Sequence, residues 1–168
     1  MGAGDPNRQP VVNVVLEALR VEHADEMLSV LADPALYEFT GGEPPNRAAL
    51  AARYEAQVRG SGRPGERWCN WIIRRVDTGE AAGFVQATVI DGVADLAWLA
   101  GLHHQRRGIA VQAVKAMIDE LASSGVTQFT AHVRPGHHRS QRVASAAGLR
   151  PTGELDDDGE EVWTNVAR

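Results

Sequence analysis

The hydrophobic positions change period several times along the chain, and each change marks an element. In VVNVVLEALR (residues 11–20) β-branched residues crowd together as in a strand. In EHADEMLSVLAD (22–33) Ala24, Met27, Leu28 and Leu31 recur at helical spacing. Paired glycines and prolines break the pattern across PALYEFTGGEPPNRAAL, so a mobile loop is expected, ending where Asn46 can cap a second helix over 47–59. After a further loop, GSGRPGE (60–66), the segments RWCNWIIRRV and AAGFVQATVI read as strands joined across Asp77, Thr78 and Gly79. Asp91-Gly92 is a two-residue hairpin signal in front of VADLAWLA, which makes three consecutive antiparallel strands. A strongly periodic helix follows, with Ala110, Val114, Met117, Ile118 and Leu121 on one side and Gly125 as its terminator. VTQFTAHV (126–133) is another strand, a short helix over about 138–147 stops at Gly148, and LRPTGELDDDGEEVWTNV makes a last hairpin turning near Asp158-Gly159. No internal repeat or long linker interrupts the order. The expectation is an α/β (α+β) architecture in one domain over residues 11–168, behind a flexible tail at 1–10.

Composition narrows the function. A chain of 168 residues buries roughly 70% of its unfolded surface and needs no covalent staples. Cys69 is the single cysteine, so an internal disulfide is excluded; no apolar run approaches a membrane span, and MGAGDPNRQP lacks the basic and apolar regions of a secretory signal. A cytoplasmic protein without a membrane partner is expected. The net charge of −5 is spread along the chain, which argues against a broad face for nucleic acid. His103-His104 and His137-His138 fit neither H-E-x-x-H nor a Cys/His zinc pattern, and ELDDDGEE lacks the ligand spacing of a calcium loop, so no metal is expected.

One stretch carries chemistry. HHQRRGIAVQAV (103–114) opens a helix with two arginines and a glycine where acidic residues would favour the helix dipole. A bound polyphosphate resolves the conflict: the unpaired amides of a helix start can receive it, Gly108 lets it approach the backbone, and Arg106 and Arg107 add charge-assisted bonds. The bland alternative is a pair of solvated arginines on a core helix. No G-x-x-x-x-G-K-[ST] occurs, and no G-x-G-x-x-G follows a strand, so the anion is not expected to be a nucleoside triphosphate or a dinucleotide.

Strand DLAWLA, loop GLHH and helix start QRRGIA together resemble the acetyl-CoA signature of the GNAT (GCN5-related N-acetyltransferase) superfamily, Q/R-x-x-G-x-G/A, at Gln105, Gly108 and Ala110. The element order matches over nearly the whole chain, and YEFTGGEPP with ERWCNWIIR is similar to the branch related to ribosomal-protein alanine acetyltransferases. The resemblance implies acetyl-CoA as co-substrate and a mostly antiparallel mixed sheet. In that sheet two central strands, here 94–100 and 127–133, splay to admit the pantetheine arm. It implies coenzyme contacts from Leu99, Gln105, Arg106, Arg107, Gly108, Ile109, Ala110 and Ser140.

On the acceptor side the resemblance implies Asp95 as general base, or else as an edge carboxylate with a hydrogen-bonding role. Glu43 is the second candidate base and His132 a possible proton relay. Tyr37, Phe39 and Trp71 are candidates for acceptor contact, or are core aromatics. Trp68 and Trp71 lie three positions apart, so a strand puts them on opposite faces. Many relatives carry a tyrosine where this chain has Ala144, to protonate the leaving thiolate, and an N-x-x-S pattern where this chain has His137-x-x-Ser140. The implied activity is acetyl transfer to the primary amine of a small molecule or peptide, by a monomer or homodimer. The alternative is an acyl-CoA-binding sensor without catalysis.

Overall fold

The computed structural model describes residues 11–166, and the tail expected over 1–10 lies outside the described residues. The elements follow in the order β1 (Val14–Ala18), α1 (His23–Val30), α2 (Arg47–Arg59), β2 (Glu66–Arg75), β3 (Ala81–Ile90), β4 (Val93–Ala100), α3 (Ile109–Ser123), β5 (Gln128–Val133), α4 (His138–Ala146), β6 (Arg150–Leu155) and β7 (Glu161–Thr164). Local chemistry accounts for several boundaries. The Asn46 side chain accepts the Ala49 amide at 2.8 Å and starts α2. Asp91 and Gly92 both take positive φ, 50° and 79°, as a tight hairpin between β3 and β4 requires. The loop expected between the first two helices is partly regular: Asp33 caps a 3-10 turn, Pro34–Tyr37, through the Ala35 amide.

The strands form one seven-stranded sheet in the order β1-β2-β3-β4-β5-β7-β6, and only the β4–β5 pair is parallel. The α/β (α+β) class expected from the pattern, and the mixed, mostly antiparallel sheet implied by the resemblance, are thus the ones found. A parallel neighbour requires a crossover, and α3 supplies it. Both faces are covered. On one, Ile109, Ala113, Val114, Met117 and Leu121 of α3 pack on Val85, Val89, Leu96 and Phe129 of the sheet. On the other, Met27 and Leu31 meet Leu50 and Tyr54 of α2 over Ile72. Fully buried side chains such as Met27 and Leu50 each contribute about 1.5–3 kcal/mol of burial. Arg74 of β2 reaches across to Glu17 of β1 and Glu26 of α1, at 2.6 Å and 2.8 Å, and helps seat that second layer.

Two features of the sheet shape its centre. β4 and β5 pair only from Val93↔Gln128 to Leu96↔Ala131, after which β4 runs on to Ala100 without a β5 partner. Beside this unpaired end, β3 and β4 approach closely at Gly83, where a Cβ would lie 2.0 Å from the Leu99 carbonyl oxygen and 2.9 Å from the Ala100 Cα. Glycine is required there for space, and the contact sets the path of Leu99.

Candidate active site

The gap left between β4 and β5 opens into a cleft of about 590 Å³. The end of β4, Leu96 to Ala100, forms one wall, and Val133 and Arg134 face it from the other. The starts of α3 and α4 close one side, and residues 35–40 cover another. Apolar walls with a few polar groups converging on them are the usual form of a small-molecule site.

The helix start at residue 108 has the geometry of an anion receptor. Gly108 is the N-cap of α3, with φ 73° and no side-chain cap. Arg106 also takes a positive φ, 63°, which is strained for a residue with a Cβ. The Gln112 amide donates to the Gly108 carbonyl at 3.1 Å, so the amides of Ile109, Ala110 and Val111 precede the first intrahelical bond. Alternating left-handed residues ahead of a helix turn successive N–H groups toward one point. Within the protein, a Cβ on Gly108 would meet Val11 at 3.6 Å and Gln112 at 3.8 Å, ordinary contacts. Its positive φ, together with the open approach to the amides, is the local reason for glycine.

Of the residues expected around a coenzyme, Leu99, Gln105, Arg106, Gly108, Ile109, Ala110 and Ser140 line the cleft. Arg107 does not. It turns inward, its Nε buried without a hydrogen-bond partner among the described residues, while its carbonyl accepts the Val12 amide. Gln105 is a structural tie as well as a wall: its Nε2 donates to the Ala100 carbonyl at 3.0 Å and its Oε1 accepts from Arg139. It thereby joins the end of β4 to the start of α4. Ser140 does not cap α4, whose N-cap is His137 without a side-chain cap bond. Ile118 packs against the core as expected though only half-buried, whereas Ala110, expected beside it, turns to the cleft.

On the acceptor side only some of the residues suggested by the resemblance reach the cleft. Asp95 shares a strand face with Ala97 and Leu99, as alternation requires, but it is exposed and does not itself line the cleft. His132, which does line the cleft, is its neighbour, with Nε2 3.5 Å from Asp95 Oδ1. Desolvation pushes the Asp95 carboxyl above its ordinary value, and His132 and Thr130 pull it back. Glu43 is exposed in its loop and does not reach the wall. Tyr37 also stays off the wall, its hydroxyl donating to the Leu31 carbonyl at 3.0 Å. Phe39 is on the wall, stacked on His137 with ring centroids 4.3 Å apart and planes within 4°. Burial, helped by Arg139, holds the His137 imidazole below its ordinary pKa, so the ring is neutral near pH 7 when it stacks. Trp71 packs against the main core away from the cleft, and Trp68 on the opposite face donates to Glu66 at 2.7 Å.

Residues that spacing did not single out complete the site. Arg134 donates from Nε to the Phe39 carbonyl at 3.0 Å and fastens the covering loop to the segment after β5. Glu160 reaches the wall from the last hairpin, 3.9 Å from Arg134. His132, Asp156 and Glu160 place potential ligand atoms within 4.8 Å of one another, though His132 and Asp156 already satisfy each other by a hydrogen bond. Ala144 is fully buried in the core, and Val143 one position earlier faces the cleft. Neither offers an O–H.

Comparison with known proteins decides what this cleft belongs to. The sequence matches the family described as Acetyltransferase (GNAT) domain over residues 13–150. The chain belongs to the GNAT acetyltransferases. Among solved structures, the aminoglycoside acetyltransferase AAC(6')-Ib in complex with coenzyme A is similar at 19% identity and a TM-score of 0.74, covering 90% of this chain and 93% of that one. The Microcin C7 self immunity acetyltransferase MccE, in complex with acetyl-CoA and AMP, is similar at 18% identity and a TM-score of 0.77, with 92% of each chain covered. A spermidine N-acetyltransferase chimera of SpeG from Vibrio cholerae and hSSAT is similar at 15% identity and 0.72, covering 90% and 92%. At such identities the likeness establishes the GNAT fold. No curated protein matches the sequence. No helix among the described residues is long and apolar enough to cross a membrane.

Proposed function

We propose that this GNAT protein transfers the acetyl group of acetyl-CoA to a primary amine by direct attack in a ternary complex. One observation carries the reading. The β4–β5 ladder ends at Leu96 and Ala131, beside an uncapped helix start whose free amides face the same cleft. Amides 106–111 and the Arg106 guanidinium fit a pyrophosphate, and the edge of β4 over residues 97–99, beyond the end of the β5 ladder, fits the amide groups of a pantetheine arm. Acetyl-CoA supplies an activated thioester carbonyl. On this reading an N–H of the β4 end near Leu99 stabilises its oxygen as charge develops.

The acceptor is a cationic amine. Glu160 lines the cleft and Asp95 and Asp156 flank His132, so negative charge gathers on this side, with Arg134 its nearest cation and the other cleft arginines at the helix starts. The amine must lose a proton before it can attack, and this cluster is where the proton goes. A thiol pKa of about 8.5 means that the leaving sulfur needs little protonation, so the absence of an O–H at Ala144 and Val143 does not block turnover. That absence does favour a second reading, coenzyme binding without transfer.

Calorimetry and thiol release separate the two. Acetyl-CoA binding is expected under both. Release of free thiol with a panel of peptide N-termini, lysine, polyamines and aminoglycosides is expected to occur with at least one cationic member. Binding with no release from any of them would sink the transferase reading and leave the sensor.

A further inference from the structure

His132, which lines the cleft, is held through Nδ1 by an acid that is itself locked in place. His132 Nδ1 lies 2.7 Å from Asp156 Oδ2. The other oxygen of Asp156 accepts the backbone amides of Asp158 and Glu160, each at 2.9 Å, at the turn of the last hairpin. These amides, with His132, hold the Asp156 carboxyl below the ordinary carboxylate range, so it is ionised and can only accept. Nδ1 must therefore carry the hydrogen. A neutral imidazole has one N–H, which leaves the lone pair on Nε2. Nε2 points to the side where Asp95 stands at 3.5 Å, too far for a good hydrogen bond, and the ring lines the cavity. The groups facing this ring are Thr130 and Asp95 along the β4–β5 pair, and Asp156 and Glu160 from the last hairpin, with Arg134 beside Glu160.

We propose that Asp156 is a positioning residue that fixes His132 as its Nδ1–H tautomer, making Nε2 the acceptor of the amine's proton. The inference rests on the transferase reading given above. One N–H bond of the incoming ammonium breaks and its proton bonds to Nε2. The freed electron pair forms the bond to the thioester carbon, and the carbon–sulfur bond breaks with its pair on sulfur. The nitrogen's surplus proton leaves with sulfur as the CoA thiol, and the imidazolium returns its proton to solvent. Asp156 and Asp95, one on each side, favour the imidazolium as it forms. Asp95, the base suggested by position alone, acts here through His132.

The test uses the full chain, acetyl-CoA and whichever amine of the panel gives the fastest thiol release. In wild type, kcat is expected to rise with pH along a limb set by one group. His132→Gln is expected to lower kcat by about 100-fold or more and to remove that limb, with acetyl-CoA affinity unchanged by calorimetry. Asp156→Asn is expected to lower kcat about 10-fold or more and to move the limb toward acid, because the imidazolium loses its paired charge. Asp157→Asn, its exposed neighbour, is the control and should leave kcat and the limb in place. Nitrogen NMR of the His132 ring should show the Nδ1–H form in wild type and a mixture in Asp156→Asn. A limb that stays put in either active-site variant, or an Nε2–H ring in wild type, overturns this inference alone. An inactive wild type that still binds acetyl-CoA overturns the transferase reading first.

Discussion

Gly108→Glu is expected to raise the dissociation constant for acetyl-CoA by about 100-fold or more while lowering the thermal midpoint by only about 2–5 °C. Two effects act together on the ligand. The new carboxylate sits among amides 106–111, where it satisfies the helix dipole itself and repels the coenzyme's phosphates. Its side chain also occupies the approach that the glycine leaves open. The protein loses much less. A Cβ at this position meets only ordinary contacts, the nearest at 3.6 Å, so the cost is that of a left-handed residue, about 1–2 kcal/mol, partly offset by the acid at the helix start. Titration calorimetry beside a melting curve checks both halves. Unchanged affinity would mean that the diphosphate lies elsewhere.

The opposite pattern is expected at Gly83→Val: a large loss of stability first, and a loss of function through it. Its Cβ would fall 2.0 Å from the Leu99 carbonyl oxygen, which belongs to the backbone of a central strand and cannot swing aside. Either β3 and β4 separate or Leu99 moves toward the cleft. Overpacking of this kind costs about 1–3 kcal/mol and more when backbone must shift, so a fall in the midpoint of roughly 5–10 °C is expected for a chain of this size. A midpoint within about 1 °C of wild type would show that the two strands are not held as closely as described.

The two glycines also show what sequence reading can and cannot reach. Gly108 was legible because its signal is local: a glycine at a helix start, next to arginines that contradict the dipole. Asn46, Asp91-Gly92 and Gly125 were legible for the same reason, and so was the element order. Gly83 looked like any glycine in a strand, since the need for it comes from a carbonyl on the neighbouring strand. Gln105 belonged to a recognisable motif, yet its ties to Ala100 and Arg139 depend on α4, 34 residues downstream. The Phe39–His137 stack and the Arg134 bond to the Phe39 carbonyl join segments 95 residues apart for the latter pair, beyond any periodicity. Asp156 was hidden in an acidic run that reads as a solvated turn. Asp95 illustrates the limit most clearly: its strand face follows from alternation, but only the packing shows that it stays off the cleft wall with the His132 ring beside it.

The central claim is that the gap between β4 and β5 receives the coenzyme with its linked phosphates on the start of α3. A crystal structure with coenzyme A bound tests it most directly. The account predicts pyrophosphate oxygens at about 2.7–3.2 Å from amides within residues 106–111, and the pantetheine chain running beside residues 97–100. Coenzyme bound outside the cleft, or a β4–β5 gap that closes on itself in its presence, would contradict it.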